Sequence, residues 1–216
     1  MDAQSNVAPI QEAELILRKI VNEKYEQVLK SVSFWILWSI LALNNSIPMF
    51  MLINVKNFGL DTFTDSQLGY LAFVGMVYQT ASKFLSGMGA DRFGIVKILI
   101  INQIVNIKSL FFLLYVPDNI IGYYIAMGAM FGTRGISINL TNYSIMFLYG
   151  TDVAKKLKAV IYMTFPISCG LMIIYDTFIL NYIGRNGTCW ILIFICILIC
   201  GASFLLAKDE DEVKQT

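Results

Sequence analysis

Six mostly apolar stretches, near 32–53, 66–88, 95–115, 120–148, 158–180 and 188–207, dominate this chain. Each has about the 20 residues needed to cross roughly 30 Å of hydrocarbon at 1.5 Å per residue. Hydrocarbon offers the backbone no water, so such segments must satisfy their own peptide groups as helices. The expected fold is therefore an all-α membrane protein with six transmembrane helices. Composition agrees: 57% of residues are hydrophobic and 14% are charged, whereas soluble domains average roughly 25% charged.

The flanking segments are polar. Over residues 1–31, Ile10, Ala13, Leu17, Ile20, Val21 and Val28 recur at three- and four-residue steps among Glu and Lys. This spacing predicts an amphipathic cytoplasmic helix lying at the membrane interface or on a partner. No signal-peptide pattern precedes residue 32, so the first span is expected to enter the membrane itself. Residues 208–216 form a short acidic tail whose composition predicts disorder.

Charge sets the expected orientation. The N-terminal segment, second loop, fourth loop and tail carry eleven Lys and Arg, whereas the intervening loops carry Lys56 and Arg185. Positive loops stay inside, so both termini are expected in the cytoplasm. A glycosylation sequon, Asn186-Gly187-Thr188, would lie on the far side, close to the membrane.

The expected second cytoplasmic loop carries the most specific motif. Gly87, Asp91, Arg92, Gly94 and Lys97 span the junction of the second and third runs in "SGMGADRFGIVK". A carboxylate there can meet the positive end of the following helix, and the glycines permit a tight turn and close backbone approach. Two readings stand side by side: a latch between helices, formed by Gly87, Asp91, Arg92 and Gly94, or an ordinary solvated turn.

The pattern resembles the signature loop of the major facilitator superfamily. "FWILWSILALNNSIPMFMLINVKNFG", residues 34–59, resembles the seventh helix of that superfamily's oxalate/formate antiporter and monocarboxylate transporter branch. The fourth and fifth runs resemble the branch's tenth and eleventh helices more loosely. The resemblance covers residues 34–180 and implies the C-terminal six-helix half of a carrier that rocks around a central site. Residues 1–31 would then end the connector between halves. The missing half would belong to a longer chain, to a second protein or to another copy of this one.

Ionisable residues inside spans are costly and need reasons. The resemblance implies a cation contacting the substrate carboxylate where Lys83 stands; the family pattern has arginine there, and lysine lacks its bidentate fork. From the residues alone, Lys83 could equally snorkel to the headgroups or pair with an acid. Arg134 sits mid-span among Gly128, Gly132 and Gly135, which let another helix approach. It is either a structural cation, ion-paired or hydrogen-bonded to backbone carbonyls, or a second positive charge facing the cavity. Lys108 is expected to snorkel outward; Asp176 could pair, bind a proton or reach the outer interface. Asn44 and Gln79 are the polar residues chosen to line the cavity, within a wider set of Asn45, Asn102, Gln103, Asn106, Asn139 and Asn142 that interhelical hydrogen bonds could absorb. Pro166 and Gly170 mark an expected hinge in the fifth run.

No enzyme signature competes: the chain has no histidine, no Gly-rich phosphate loop, no metal-ligand cluster and no cofactor motif. Cys169, Cys189, Cys196 and Cys200 lie in or beside apolar segments and read as reduced thiols, lipid-facing or packed. The net charge of +1 gives no reason to expect nucleic acid. The expected partners are a small organic anion, the lipid bilayer and a complementary six-helix half. A non-transporting membrane subunit that keeps the bundle as a scaffold is the alternative.

Overall fold

The computed structural model describes residues 7–59, 63–115 and 119–215, with side chains described between Lys19 and Phe204. Among these residues there is no strand. The helices are α1 (Val7–Lys30), α2 (Val32–Ile53), the short α3 (Val55–Gly59), α4 (Asp65–Phe93), α5 (Ile95–Tyr115), α6 (Ile120–Tyr149), α7 (Thr151–Tyr162), α8 (Thr164–Ile174) and α9 (Asn181–Gln215). A wider π-helical segment, Tyr175–Leu180, joins α8 to α9, and α9 breaks at Gly184.

Three runs are long and apolar enough to cross a membrane: Val32–Ile53, Ile95–Tyr115 and the 54-residue stretch Thr151–Phe204. The helices α4 and α6, 29 and 30 residues long, are more mixed in composition. At 1.5 Å per residue each still extends for roughly 44 Å. The outer surface of α4 is apolar, with Phe84 72% and Phe73 66% exposed, as suits a helix facing lipid or another apolar surface.

Local chemistry explains the ends. Ser31 caps α2 by accepting from Phe34 N at 3.2 Å, and Asn119 caps α6 by accepting from the Ile121 and Gly122 amides. Thr64 and Gln67 form a reciprocal capping box on α4. Single glycines separate α4 from α5 and α6 from α7, Gly94 at φ 91° and Gly150 at φ 79°. Both are backbone conformations that a β-carbon disfavours, which is why each reversal needs only one residue.

The break between α7 and α8 falls at Met163, ahead of the expected hinge pair. Pro166 cannot donate to the Tyr162 carbonyl, and its ring crowds that oxygen, so the helix ends one turn before the proline. Gly170 lies within α8, exposed, with no side chain or neighbouring helix near its Cβ position.

The core lies where α2, α5, α6 and α9 meet, with Leu41, Ile47, Leu99, Leu110, Met130 and Leu192 fully enclosed. A satellite cluster packs α1 onto α7: Val21, Tyr25, Val28 and Leu29 lie against Val153, Ala154, Leu157 and Ile161. Lys156 Nζ also donates to Asn22 Oδ1. The amphipathic helix therefore rests part of its apolar stripe, Val21 and Val28, on α7 of its own chain, while Ile20 stays exposed. The side chains of Ile10, Ala13 and Leu17 lie outside the described residues. Where composition predicts a disordered tail, α9 continues to Gln215; its side chains beyond Phe204, and Thr216, also lie outside them.

Candidate functional site

Close approach of α4 and α6 organises one side of the bundle. A β-carbon on Gly135 would lie 2.3 Å from the Gln79 backbone oxygen, and one on Gly132 would lie 2.8 Å from Ser82 Oγ. Small residues on α6 thus admit the α4 backbone itself, as membrane helix pairs commonly require. The expected approach at Gly128, Gly132 and Gly135 is that of α4. Asn139 completes the seam, donating to Lys83 O at 3.2 Å and to Ser86 Oγ at 3.0 Å.

Behind this seam is a buried amide network. Asn44 Oδ1 accepts from Asn102 Nδ2 at 2.9 Å and also from Gln103 Nε2, while Asn102 Nδ2 lies 3.1 Å from Ser137 Oγ. Asn45 Nδ2 lies 3.2 Å from Thr141 Oγ1 and 2.9 Å from the Leu41 carbonyl of its own helix. Pro48 cannot donate to the Asn44 carbonyl one turn earlier, and Ser137 Oγ lies 3.5 Å from that freed oxygen. Asn44, Asn102, Gln103 and Asn106 are all completely enclosed. Asn44 Nδ2, Asn102 Oδ1 and Asn106 Oδ1 lack hydrogen-bond partners among the described residues. Asn44 thus sits inside the α2–α5–α6 junction rather than on an open face. Gln79 is half-buried, its backbone pressed against Gly135.

The two cations lie elsewhere, on the neighbouring helices α4 and α6. Lys83 is exposed on α4 and Arg134 is half-buried on α6. On α4, Gly89 abuts Ile98 of α5, and Lys83 stands about 120° around the helix from Gly89. Arg134 stands about 100° from the α4-facing Gly135, within electrostatic range of Cys169 on α8. Neither cation has an acidic partner among the described residues; the ion pairs found there are Lys56–Asp65 and Lys155–Asp152, both exposed. Lys108 is exposed on α5, and Asp176 is half-buried in the π segment.

Asp91 falls in the last turn of α4 rather than in a loop. Its carboxylate accepts from the Tyr143 hydroxyl of α6, an exposed hydrogen bond that bridges the two helices. Arg92 lies over the Phe93 ring, 5.7 Å from its centroid. Sequence reasoning missed Tyr143, 52 residues away, since nothing in its local pattern distinguishes it from other aromatics. It also missed a cavity of about 500 Å³ between α6 and α7, lined in part by Asn142, Lys155, Lys158 and Tyr162. The sequon's Thr188 is fully buried, its hydroxyl donating to Gly184 O at 2.7 Å.

The class that fold and composition define is an all-helical protein with helices fit to cross a membrane. No protein-family model matches the chain, and no curated protein matches it significantly.

Proposed function

We propose that this chain is a six-span half of a major-facilitator-like secondary carrier for a small organic anion, working by alternating access with a complementary half. The observation that carries the reading is the two cations on the adjoining helices α4 and α6, Lys83 and Arg134, neither of which has a carboxylate partner among the described residues. A half-buried guanidinium within a span is costly unless an anion or water-filled cavity meets it. A carboxylate held between two such cations in a water-poor setting is bound more strongly than in bulk water. The Gly87–Lys97 motif and the Asp91–Tyr143 contact agree with a signature loop that acts as a latch. The six runs, with eleven positive residues on one side and two on the other, agree with both termini being cytoplasmic.

The test compares two lysines. In proteoliposomes holding the chain with its complementary half, Lys83→Gln is expected to weaken carboxylate binding about tenfold, the loss of one charge-assisted hydrogen bond. Lys108→Gln, on the α5 surface, should leave binding unchanged, and Lys83→Arg should preserve or strengthen it. Equal binding by both glutamine variants removes the reading's main support.

A second expected outcome concerns the latch. Asp91→Ala and Tyr143→Phe each delete one end of the same hydrogen bond, so both should shift the ratio of inward- to outward-accessible states several-fold in the same direction. Cysteine accessibility on the two sides measures this, and opposite shifts would separate the two residues. The alternative, a non-transporting scaffold subunit, draws on the enclosure of Asn44 in the packed core and the lack of any Lys or Arg after Lys158 in the fifth run. It predicts no carboxylate binding at all.

A further inference from the structure

The cavity between α6 and α7, about 500 Å³ in volume, is used neither by the Lys83–Arg134 pair nor by the α4–α6 seam. Its lining changes character along α7. Thr151, Lys155 and Lys158 line the part nearest the start of that helix, and Ile161 and Tyr162 line the part further on. Lys158 and Tyr162 stand about one turn apart, roughly 6 Å along the axis, with the ammonium 5.5 Å from the ring centroid. The ring thereby steadies the cation at the border between the polar and apolar parts. Across from them α6 offers Ile145 and Met146, while Asn142 Nδ2 donates to Ile138 O of its own helix at 3.3 Å.

Charge and exposure together define the occupant. Lys158 has no carboxylate partner among the described residues. Lys155 lies 3.0 Å from Asp152, but both side chains are open to solvent, so that pair is weak and its ammonium is free to turn to another anion. The opening therefore carries a net positive charge. Its apolar rim is open as well, with Met146 51% exposed and Met163, next along the chain from Tyr162, 61% exposed. Lys155 and Lys158 stand near the beginning of the Thr151–Phe204 run, which is long and apolar enough to cross a membrane. In a bilayer, lysines at the end of such a run lie at headgroup depth, and residues a turn further on meet acyl chains. A free phosphate would engage the lysines and leave the apolar wall uncovered. A hydrocarbon alone would leave the cations without an anion. A ligand with both parts satisfies the whole lining, and basic pockets between membrane helices hold anionic headgroups in this way.

We propose that this cavity binds an anionic glycerophospholipid, with its phosphodiester on Lys158 and Lys155 and one acyl chain along Ile145, Met146, Ile161 and Tyr162. The site requires a bilayer around the Thr151–Phe204 run but no transport, so it goes beyond the carrier reading and stands without it.

The test is native mass spectrometry of the full chain, freed of lipid in a neutral detergent and titrated with palmitoyl-oleoyl phosphatidylglycerol. The first lipid bound is expected to be phosphatidylglycerol in preference to phosphatidylcholine with the same chains. Lys158→Gln should raise the half-saturating concentration of that first lipid about tenfold. Lys158→Arg, whose guanidinium also grips a phosphate, should restore it. Met146→Trp should weaken binding with every lysine in place, because the larger ring occupies the room along the apolar wall. Lys156→Gln is the control: it removes the same charge from the same helix, but Lys156 donates to Asn22 of α1 and is not part of the cavity lining, so binding should be unchanged. Equal weakening by Lys156→Gln and Lys158→Gln would mean diffuse surface charge and overturn the proposal. So would equal binding of phosphatidylcholine, which means apolar partitioning, or equally tight binding of glycerol phosphate, which means a site for free phosphate.

Discussion

Gly135→Ala is expected to cost this protein much of its stability, and Gly135→Leu to abolish the folded state. The added β-carbon would sit 2.3 Å from the Gln79 carbonyl oxygen, 3.1 Å from its carbonyl carbon and 3.3 Å from its Cα. No rotamer change relieves a clash with backbone, so α4 must move away from α6 along its length. Overpacking of this kind costs about 1–3 kcal/mol and sometimes more. The separation would also loosen the Asn139 bonds to Lys83 and Ser86. Gly170→Ala is the control. It lies in a helix interior with nothing within 4 Å of the new carbon, so it should be neutral or stabilising by up to about 1 kcal/mol. Thermal midpoints in detergent, read by size-exclusion chromatography with fluorescence detection, compare the two. Equal midpoints would mean that α4 can back away at no cost.

The contrast between these glycines also shows what the sequence discloses and what it hides. Gly128, Gly132 and Gly135 announce a close approach by their spacing, but only the packed bundle identifies α4 as the neighbour. The apolar runs at 32–53 and 95–115 coincide with helices because apolarity and helix end together there, at Ser31, Asn54 and Gly94. The fifth run starts later than its helix because Lys155 and Lys156 break the hydropathy without breaking the α-helical backbone. Pro166 flags the interruption, yet the break falls a turn earlier, since the carbonyl it crowds belongs to Tyr162. Among candidate site residues, Lys83 and Arg134 stand out by charge alone in an apolar context. Asn44 does too, but polarity does not reveal whether a residue lines a cavity or joins helices. That depends on Asn102 and Gln103, more than 50 residues away in sequence.

The same network yields the second large expected effect. Asn44→Leu roughly conserves volume but removes the oxygen that accepts from both Asn102 and Gln103. The Gln103 amide loses that acceptor inside a closed junction, while Asn102 Nδ2 keeps Ser137 Oγ within reach. Stranding a buried polar group costs about 1–3 kcal/mol, although interhelical hydrogen bonds in a bilayer average nearer 0.6 kcal/mol. Asn44→Leu is therefore expected to cost about 2 kcal/mol, more than Asn102→Leu, because Asn44 Oδ1 keeps Gln103 as a donor when Asn102 is gone. Each single variant breaks the same Asn102–Asn44 hydrogen bond, so removing both residues should cost less than the two single losses added together. A double-mutant cycle on reversible unfolding in mixed micelles measures this, with an expected coupling of about 1 kcal/mol. Strict additivity would mean that the amides act independently, and the junction would then owe its specificity to the apolar contacts around it.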